Sequence, residues 1–278
     1  MLYTPINPPL NNHVVICNCN EKVRGIVREL HADAVQNPHD IVLLIQDRAL
    51  WEKNPDWHPK ESARARIITM FGSPFEKECL SAAWIENARA AIILADPNHG
   101  QLADAQSTLM AVAIEKHNPQ VHSIQELILS TNRDHLKAMN VDEVICLGEI
   151  SEKLIAQSCV TPGVKNIFQN LLTSAKGTPQ ILLQRLDPGL NGMSFRTISR
   201  SCIKARAPFT IIGYIISPPE MLSGKEGRNM IKRIIMLNPK NKTKDLPLSE
   251  NDKLIVIAYE LPETISNYLK SAEEPSSS

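Results

Sequence analysis

The first half of the chain alternates short apolar runs with segments in which apolar residues recur every three or four positions. Short apolar runs predict buried strands, and the longer recurrence predicts helices with one buried face. The apolar runs predict six strands: His13–Cys17, Asp40–Asp47, Ala65–Gly72, Ala90–Asp96, Val121–Leu129 and Glu143–Gly148. The recurrent segments predict helices over Glu21–Leu30, Pro74–Ile85 (capped by Ser73), Ala103–Asn118 and Asn132–Asn140.

Continuous apolar strands separated by helices are typical of a parallel sheet that helices cover on both faces. Crossover connections in such sheets are right-handed. We therefore expect an α/β fold, a Rossmann-like doubly wound parallel sheet, over residues 12–150.

The pattern changes after residue 150. Ser151–Ala175 reads as two helices broken at Thr161-Pro162-Gly163, so residues 151–177 are predicted to form a helical crossover hairpin. Its apolar faces favour a linking or dimerising element. The alternative is that the hairpin packs on its own lobe.

The remaining segments of the chain differ from the predicted parallel sheet and from the hairpin. Residues 178–262 carry shorter strands separated by Pro, Gly and Asn, which predicts a small C-terminal α+β lobe. Residues 1–11 are rich in proline, which favours an extended and stiff linker. Residues 263–278 are predicted to be a disordered tail.

The loop after the first strand reads Asn18-Cys19-Asn20, where a dinucleotide-binding fold has Gly-x-Gly. Asparagine tolerates a left-handed backbone, so the tight turn can form. The third glycine position falls at Val23, and close approach of a pyrophosphate is hindered. The start of the following helix still offers free N–H groups. The loop therefore indicates either a degenerate nucleotide site or a fold that has lost its cofactor.

Further candidate cofactor-binding residues follow other predicted strands. Asp47 ends the second strand, where an acidic residue can hold ribose hydroxyls. Gly72 and Asp96 end the third and fourth strands at the same edge of the sheet. Asp96 and Glu126 are also candidate metal ligands, because calcium takes several carboxylate oxygens. Asp104 lies nearby at a helix start, and such residues also serve as caps or face water.

Composition narrows the class of protein. The formal net charge is +0 with 22% charged residues, which argues against nucleic-acid binding. The six cysteines lie mostly in apolar runs, as buried free thiols do, and Cys17-x-Cys19 lacks zinc-site spacing. The sequence has no Tyr-x-x-x-Lys pair and no nucleophile with a recognisable base. We therefore expect a protein that is not an enzyme.

Several motifs together resemble the RCK family of cytosolic regulators of potassium channels and transporters. They are "HVVICN", "GSPFEKECLSAAWIENARAAIILAD", "ADAQSTLMAVAIEKHNP" and "DEVICLGEISEKLIAQSC". The match looks closest to the first RCK domain of Slo (BK-type) calcium-activated potassium channels. That similarity extends through "MSFRTI" and "RIIMLNP" and covers residues from about Asn12 to Glu260.

The resemblance implies a ligand-sensing module at the cytoplasmic face of the cell membrane. RCK domains pair through the crossover hairpin, here residues 151–175, and assemble as octameric gating rings below the pore-forming helices of a potassium channel. Residues 2–12 would be the linker to those helices. Some calcium-binding relatives carry carboxylates where this chain has Leu94 and Ile128, and only Glu126 matches.

We therefore expect a gating-ring domain that controls pore opening, with calcium or an adenine nucleotide as its ligand. One alternative is an NAD(P)-dependent oxidoreductase, against which the lost glycines count. The other is a nucleotide-binding subunit of a Trk or Ktr-type potassium transporter. Those subunits keep the glycine-rich loop that Asn18 and Asn20 replace here.

Overall fold

The computed structural model describes residues 3–96, 100, 102–132, 141–216, 234–246, 248, 252–260 and 264–268. The chain divides into two compact units. The first comprises Met1–Lys165 with Gly224–Asn229, and the second comprises Asn166–Ser223 with Met230–Ser278.

The first unit is built on a six-stranded sheet in which every pair of neighbouring strands is parallel. Its strands are β1 (Val14–Cys17), β2 (Ile41–Ile45), β3 (Ile67–Phe71), β4 (Ala90–Ile93), β5 (His122–Leu127) and β6 (Glu143–Cys146). The strand order is β3-β2-β1-β4-β5-β6. This is the order of a Rossmann fold, in which the winding reverses between β1 and β4. The predicted α/β class is confirmed.

Helices cover both faces of this sheet: α1 (Val23–Leu30), α2 (Arg48–Lys53), α3 (Lys77–Ala82) and α4 (Ala103–His117). Alternate residues of β1 point to opposite faces. Val15 belongs to a buried cluster that includes residues of α3 and α4, whereas Ile16 belongs to one that includes residues of α1 and Trp51 of α2.

Two predicted helix starts were wrong. α3 begins at Lys77, not at Pro74, because Ser73–Glu76 closes as a turn in which Glu76 N donates to Ser73 O at 3.1 Å. Ser73 therefore does not cap the helix, and Glu76 occupies the cap position. α1 begins at Val23, two residues after the predicted start. The predicted helix Asn132–Asn140 lies outside the described residues except for Asn132.

Helix α5 (Leu147–Val160) follows β6 directly, four residues before the predicted start, and α6 is Val164–Leu172. Neither helix contains a buried residue. Large apolar side chains are instead exposed: Ile155 by 70% and Val160 by 79% on α5, and Leu172 by 72% on α6. The two helices thus present apolar surface to solvent in a single chain.

The second unit contains an antiparallel sheet in the order β7-β10-β8-β9. These strands are Gln180–Arg185, Lys253–Ala258, Phe209–Ile216 and Ile234–Leu237, respectively. Helix α7 (Phe195–Lys204) contributes to the same core and was not predicted. Ser194 caps it by accepting a hydrogen bond from Thr197 N at 3.2 Å. Ile265 is fully buried in this core, so the predicted disordered tail is wrong at this residue.

The segment that precedes β1 packs against the first unit. Ile6 N donates to Ala82 O at 3.1 Å, and Trp84 Nε1 donates to Ile6 O at 2.8 Å. Leu10 is buried in the cluster on the α3 and α4 face. Residues 3–12, predicted as part of an extended linker, therefore have fixed contacts with α3 and the turn that follows it.

Candidate functional site

The loop between β1 and α1 is held in place by its own amide side chains. Asn18 has φ +61°, in the left-handed region where asparagine is favoured over most residues. Its Nδ2 donates to Leu94 O at 2.8 Å, and Nδ2 of Asn20 donates to Ala95 O at 3.0 Å. These two bonds tie the loop to the end of β4, across the point where the strand order reverses.

The backbone N–H and the side-chain ammonium of Lys22, at the start of α1, both have partners within the protein. Lys22 N donates to Asn20 Oδ1 at 3.0 Å. Nζ of Lys22 lies 2.6 Å from Oε1 of Glu126, which comes from β5. The second oxygen of that carboxylate accepts a hydrogen bond from Ala95 N at 3.1 Å. A buried carboxylate therefore joins the start of α1 to the ends of β4 and β5.

A cavity of about 320 Å³ opens beside this loop. Its polar lining comes from four of the predicted site residues, Asn18, Cys19, Asp47 and Asp96, and it also includes Gln46. Sequence reasoning missed the aromatic side chains of Trp51 and Trp57, which line the same cavity. The volume falls in the range of small-molecule pockets, about 300–1,000 Å³.

The polar residues in the cavity have defined local roles. Asp47 caps α2, since its Oδ1 accepts a hydrogen bond from Leu50 N at 2.9 Å. Cys19 Sγ donates to Ile16 O at 3.6 Å, and burial raises the pKa of its thiol well above the ordinary value. A thiol that resists ionisation is a poor nucleophile and a poor metal ligand. The cavity is therefore suited to binding rather than to thiol chemistry.

Gly72 does not line this cavity. A Cβ atom built on it would lie 2.4 Å from Cys79 Sγ and 2.5 Å from Tyr3 Cε1. Glycine is required here because the side chain of Tyr3 packs on the backbone after β3. The structure thus places Gly72 in the contact between the N-terminal segment and the sheet.

The carboxylate of Asp104 accepts hydrogen bonds from the residues that follow the carboxyl end of β5. This carboxylate is 4% exposed, and it accepts hydrogen bonds from Ile128 N at 2.8 Å and Leu129 N at 3.0 Å. Asn132 Nδ2 donates to it at 2.7 Å. All three contacts are to the chain that follows β5, so Asp104 serves as a structural acceptor.

The surroundings of the predicted metal ligands Asp96 and Glu126 differ from those of a calcium site. Both oxygens of Glu126 already accept hydrogen bonds, one of them from a lysine cation. Within the described residues, no three or more His, Cys, Asp or Glu side chains form a group that could hold a metal ion. Calcium requires six to eight oxygens. The arrangement as described does not fit calcium, and binding there would require Lys22 to leave.

The strand order, the cavity beside the reversal point and the asparagine-closed loop define a Rossmann-type domain without the glycine-rich dinucleotide loop. Residues 9–125 match the family described as the calcium-activated potassium channel slowpoke-like RCK domain. This part of the chain is similar to that family, in agreement with the resemblance noted in the sequence.

Two relatives illustrate the similarity. The calcium-gated potassium channel TvoK of Thermoplasma volcanium is 28% identical over 171 residues, which are 60% of this chain and 45% of TvoK. Potassium channel subfamily U member 1 of Macaca fascicularis is 26% identical over 187 residues, covering 54% of this chain and 16% of that protein. The chain thus spans less than half the length of these relatives.

A solved structure shares the fold. The human SLO3 gating ring aligns with a TM-score of 0.60 at 20% identity, covering 94% of this chain and 45% of that one. Among the helices of the described residues, none combines the length and apolarity that crossing a membrane requires.

Proposed function

We propose that the chain is a ligand-sensing regulatory domain of a potassium channel that controls pore opening without enzymatic activity. The observation that carries this proposal is the exposed apolar surface of α5 and α6, which follow a Rossmann sheet of the RCK type. Apolar surface of this extent marks an interaction site. Copies of the domain associate through these helices into a gating ring at the cytoplasmic face of the membrane, linked to the pore-forming helices.

Ligand binding acts on this assembly by population shift. A ligand that binds one arrangement of the ring more tightly moves the equilibrium toward it, by no more than the difference between the two affinities. The domain needs no catalytic residue for this role. Turnover of any hydride substrate would contradict the non-enzymatic assignment.

Size-exclusion chromatography with light scattering tests the association. We expect the wild-type chain to form dimers or larger rings, and Ile155→Glu or Leu172→Glu to shift it toward monomer. Ile203→Glu is the matched control, since Ile203 is 77% exposed on α7 and lies outside both helices. A wild-type chain that stays monomeric at high concentration, with and without divalent cations, would contradict the proposal.

We propose that the cavity beside Asn18 takes the nucleoside part of an adenine nucleotide. The half-buried Trp57 offers aromatic surface for a base, and Asp47 is an acceptor for ribose hydroxyls. Trp51 is 5% exposed and stacks on His58, so it supports the wall of the cavity. The α1 start offers little to a pyrophosphate, because Lys22 is already paired with Glu126. Adenosine and AMP should therefore bind about as tightly as ADP or NAD.

A thermal-shift series with adenosine, AMP, ADP, NAD and calcium tests this ligand proposal. A ligand of the native state raises the melting temperature by mass action. Asp47→Asn should abolish the rise in melting temperature that adenosine and AMP cause. The variant should still cap α2, because asparagine is an equally good cap. Asp33→Asn removes an exposed carboxylate outside the cavity and serves as the control. A shift with calcium alone would instead favour a metal site at Asp96 and Glu126.

A further inference from the structure

The outward face of α7 is a row of cations. Arg196, Arg200 and Lys204 are spaced four residues apart, which places them on one side of a helix. All three are exposed. Ile203 lies within the same face and is 77% exposed. This face of α7 therefore combines an apolar side chain with three cations.

These residues border a cavity of about 600 Å³ on the second unit, which we call the α7 groove. Its apolar part includes Phe195 and Ile211, which are 6% and 7% exposed, and Ile212. Lys242 adds a fourth cation from the chain after β9. A backbone hydrogen bond joins α7 to the chain after β9, since Arg196 N donates to Lys242 O at 2.8 Å.

Among the residues that the structure describes, no carboxylate lines the α7 groove, and none of its four cations forms an ion pair. Like charges four residues apart on a helix are destabilising. The chain as a whole has a net charge of +0, so this clustering is a local feature.

We propose that the α7 groove binds a small amphipathic anion, a carboxylate or phosphate carried on an apolar body. The cations supply charge-assisted hydrogen bonds to the anionic head, and arginine forms them in a bidentate geometry. Phe195, Ile203 and Ile211 supply the surface that buries the apolar body. A volume of about 600 Å³ matches a small molecule rather than a protein segment.

Isothermal titration of the full 278-residue chain with decanoate tests the proposal, with decanol, acetate and inorganic phosphate as comparison ligands. Decanoate should bind, whereas decanol lacks the charge and acetate and phosphate lack the apolar body. The double variant Arg196→Gln/Arg200→Gln should weaken decanoate binding by at least about tenfold, the scale of a lost charge-assisted contact. Ile203→Asn should weaken it by roughly threefold through lost apolar contact.

Arg185→Gln is the matched control, because it removes an exposed cation from the same unit outside the groove. The variants in the groove change exposed side chains, so their melting temperatures should not fall below that of the wild type. Equal binding of decanol, equal binding of phosphate, or unchanged decanoate affinity in the double variant would each overturn the proposal. Binding to vesicles of anionic phospholipid with none to decanoate would also overturn it, in favour of a membrane surface.

Discussion

Nζ of Lys22 and Oε1 of Glu126 lie 2.6 Å apart although 104 residues separate them in the chain. Glu126 is 7% exposed, and its other oxygen accepts a hydrogen bond from Ala95 N. In a dinucleotide-binding fold the start of the first helix receives a pyrophosphate. Here the chain itself supplies the negative charge, and the same carboxylate fixes the ends of two strands.

Removing one partner of this pair should destabilise the first unit. Lys22→Met leaves a buried carboxylate without its cation, and we expect the free energy of unfolding to fall by about 2 kcal/mol. The lysine side chain is 30% exposed, so the loss should stay below that of a fully buried pair. Urea unfolding measures it.

Lys153→Met is the control for this experiment. Lys153 pairs with Glu149 on the surface of α5. Exposed pairs of this kind contribute about 0.5 kcal/mol or less. If Lys22→Met cost no more than Lys153→Met, the Lys22–Glu126 contact would not be structural.

Gly72→Ala should destabilise the protein without a direct effect on the cavity beside Asn18. The new Cβ meets Cys79 Sγ and Tyr3 Cε1 at distances below van der Waals contact, so neighbouring groups must move. Overpacking of this kind costs roughly 1–3 kcal/mol. Gly25→Ala is the matched control, since no atom lies within 4 Å of its Cβ position and alanine favours helix α1. Equal stability of the two variants would contradict the close packing of Tyr3.

Stability should fall in mild acid because of His13. This ring is fully buried, Nε2 donates to Ala83 O at 2.9 Å, and Nδ1 has no hydrogen-bond partner among the described residues. Burial lowers the pKa of His13 below its ordinary value of 6.5, with the Ala83 hydrogen bond partly opposing the shift. Below about pH 6.5 the unfolded chain binds a proton that the folded chain does not take up. The free energy of unfolding therefore falls as the pH is lowered, by up to about 1.4 kcal/mol per pH unit.

His13→Gln should flatten this dependence between about pH 6.5 and the folded-state pKa of His13. His117→Gln, which changes a half-buried histidine on α4, serves as the comparison variant. Urea titrations at several pH values measure the slopes, and a proton NMR titration of the His13 ring reports its pKa directly. A titration midpoint above 6.5 would contradict the burial argument.

The six thiols should differ widely in reactivity. Burial raises the pKa of Cys17 and Cys79 to about 12 and that of Cys202 to about 11, whereas Cys159 is exposed on α5. Thiolate is the reactive form. Ellman's reagent near neutral pH, at a protein concentration low enough to keep the chain monomeric, should therefore modify one thiol per chain rapidly. Cys159→Ser should remove that phase, and all six thiols of the wild type should react in denaturant. A fast phase that survives Cys159→Ser would place a second reactive thiol on the native surface.

The parallel sheet could be predicted from the sequence because β1 and β2 are apolar runs that are buried along their whole length. The edge strands β3 and β6 are less buried, and their apolar residues still mark them as strands. The six-residue α2 was missed because one and a half turns do not establish a helical period, and Trp51 was missed with it. Helix α7 has such a period in Phe195, Ile198 and Cys202, and its cap at Ser194 is the signal that could have revealed it.

The Lys22–Glu126 pair could not be predicted in this way. It depends on β4 lying between β1 and β5 in the sheet, with all three strands ending at the same edge. No local pattern encodes that register. The cavity beside Asn18 was predicted in part, since the strand ends at Asp47 and Asp96 are visible as polar residues after apolar runs.

The docking of the N-terminal segment has a mechanical consequence. A tensile force applied through Tyr3 would first act on the hydrogen bond that its hydroxyl donates to Glu76 Oε2 (3.0 Å) and on its packing against Gly72. The two hydrogen bonds of the Ile6 backbone, to Ala82 O and from Trp84 Nε1, would bear the load next, before the force reached β1. A force applied through Tyr3 would therefore reach the region of α3 before it reached the sheet.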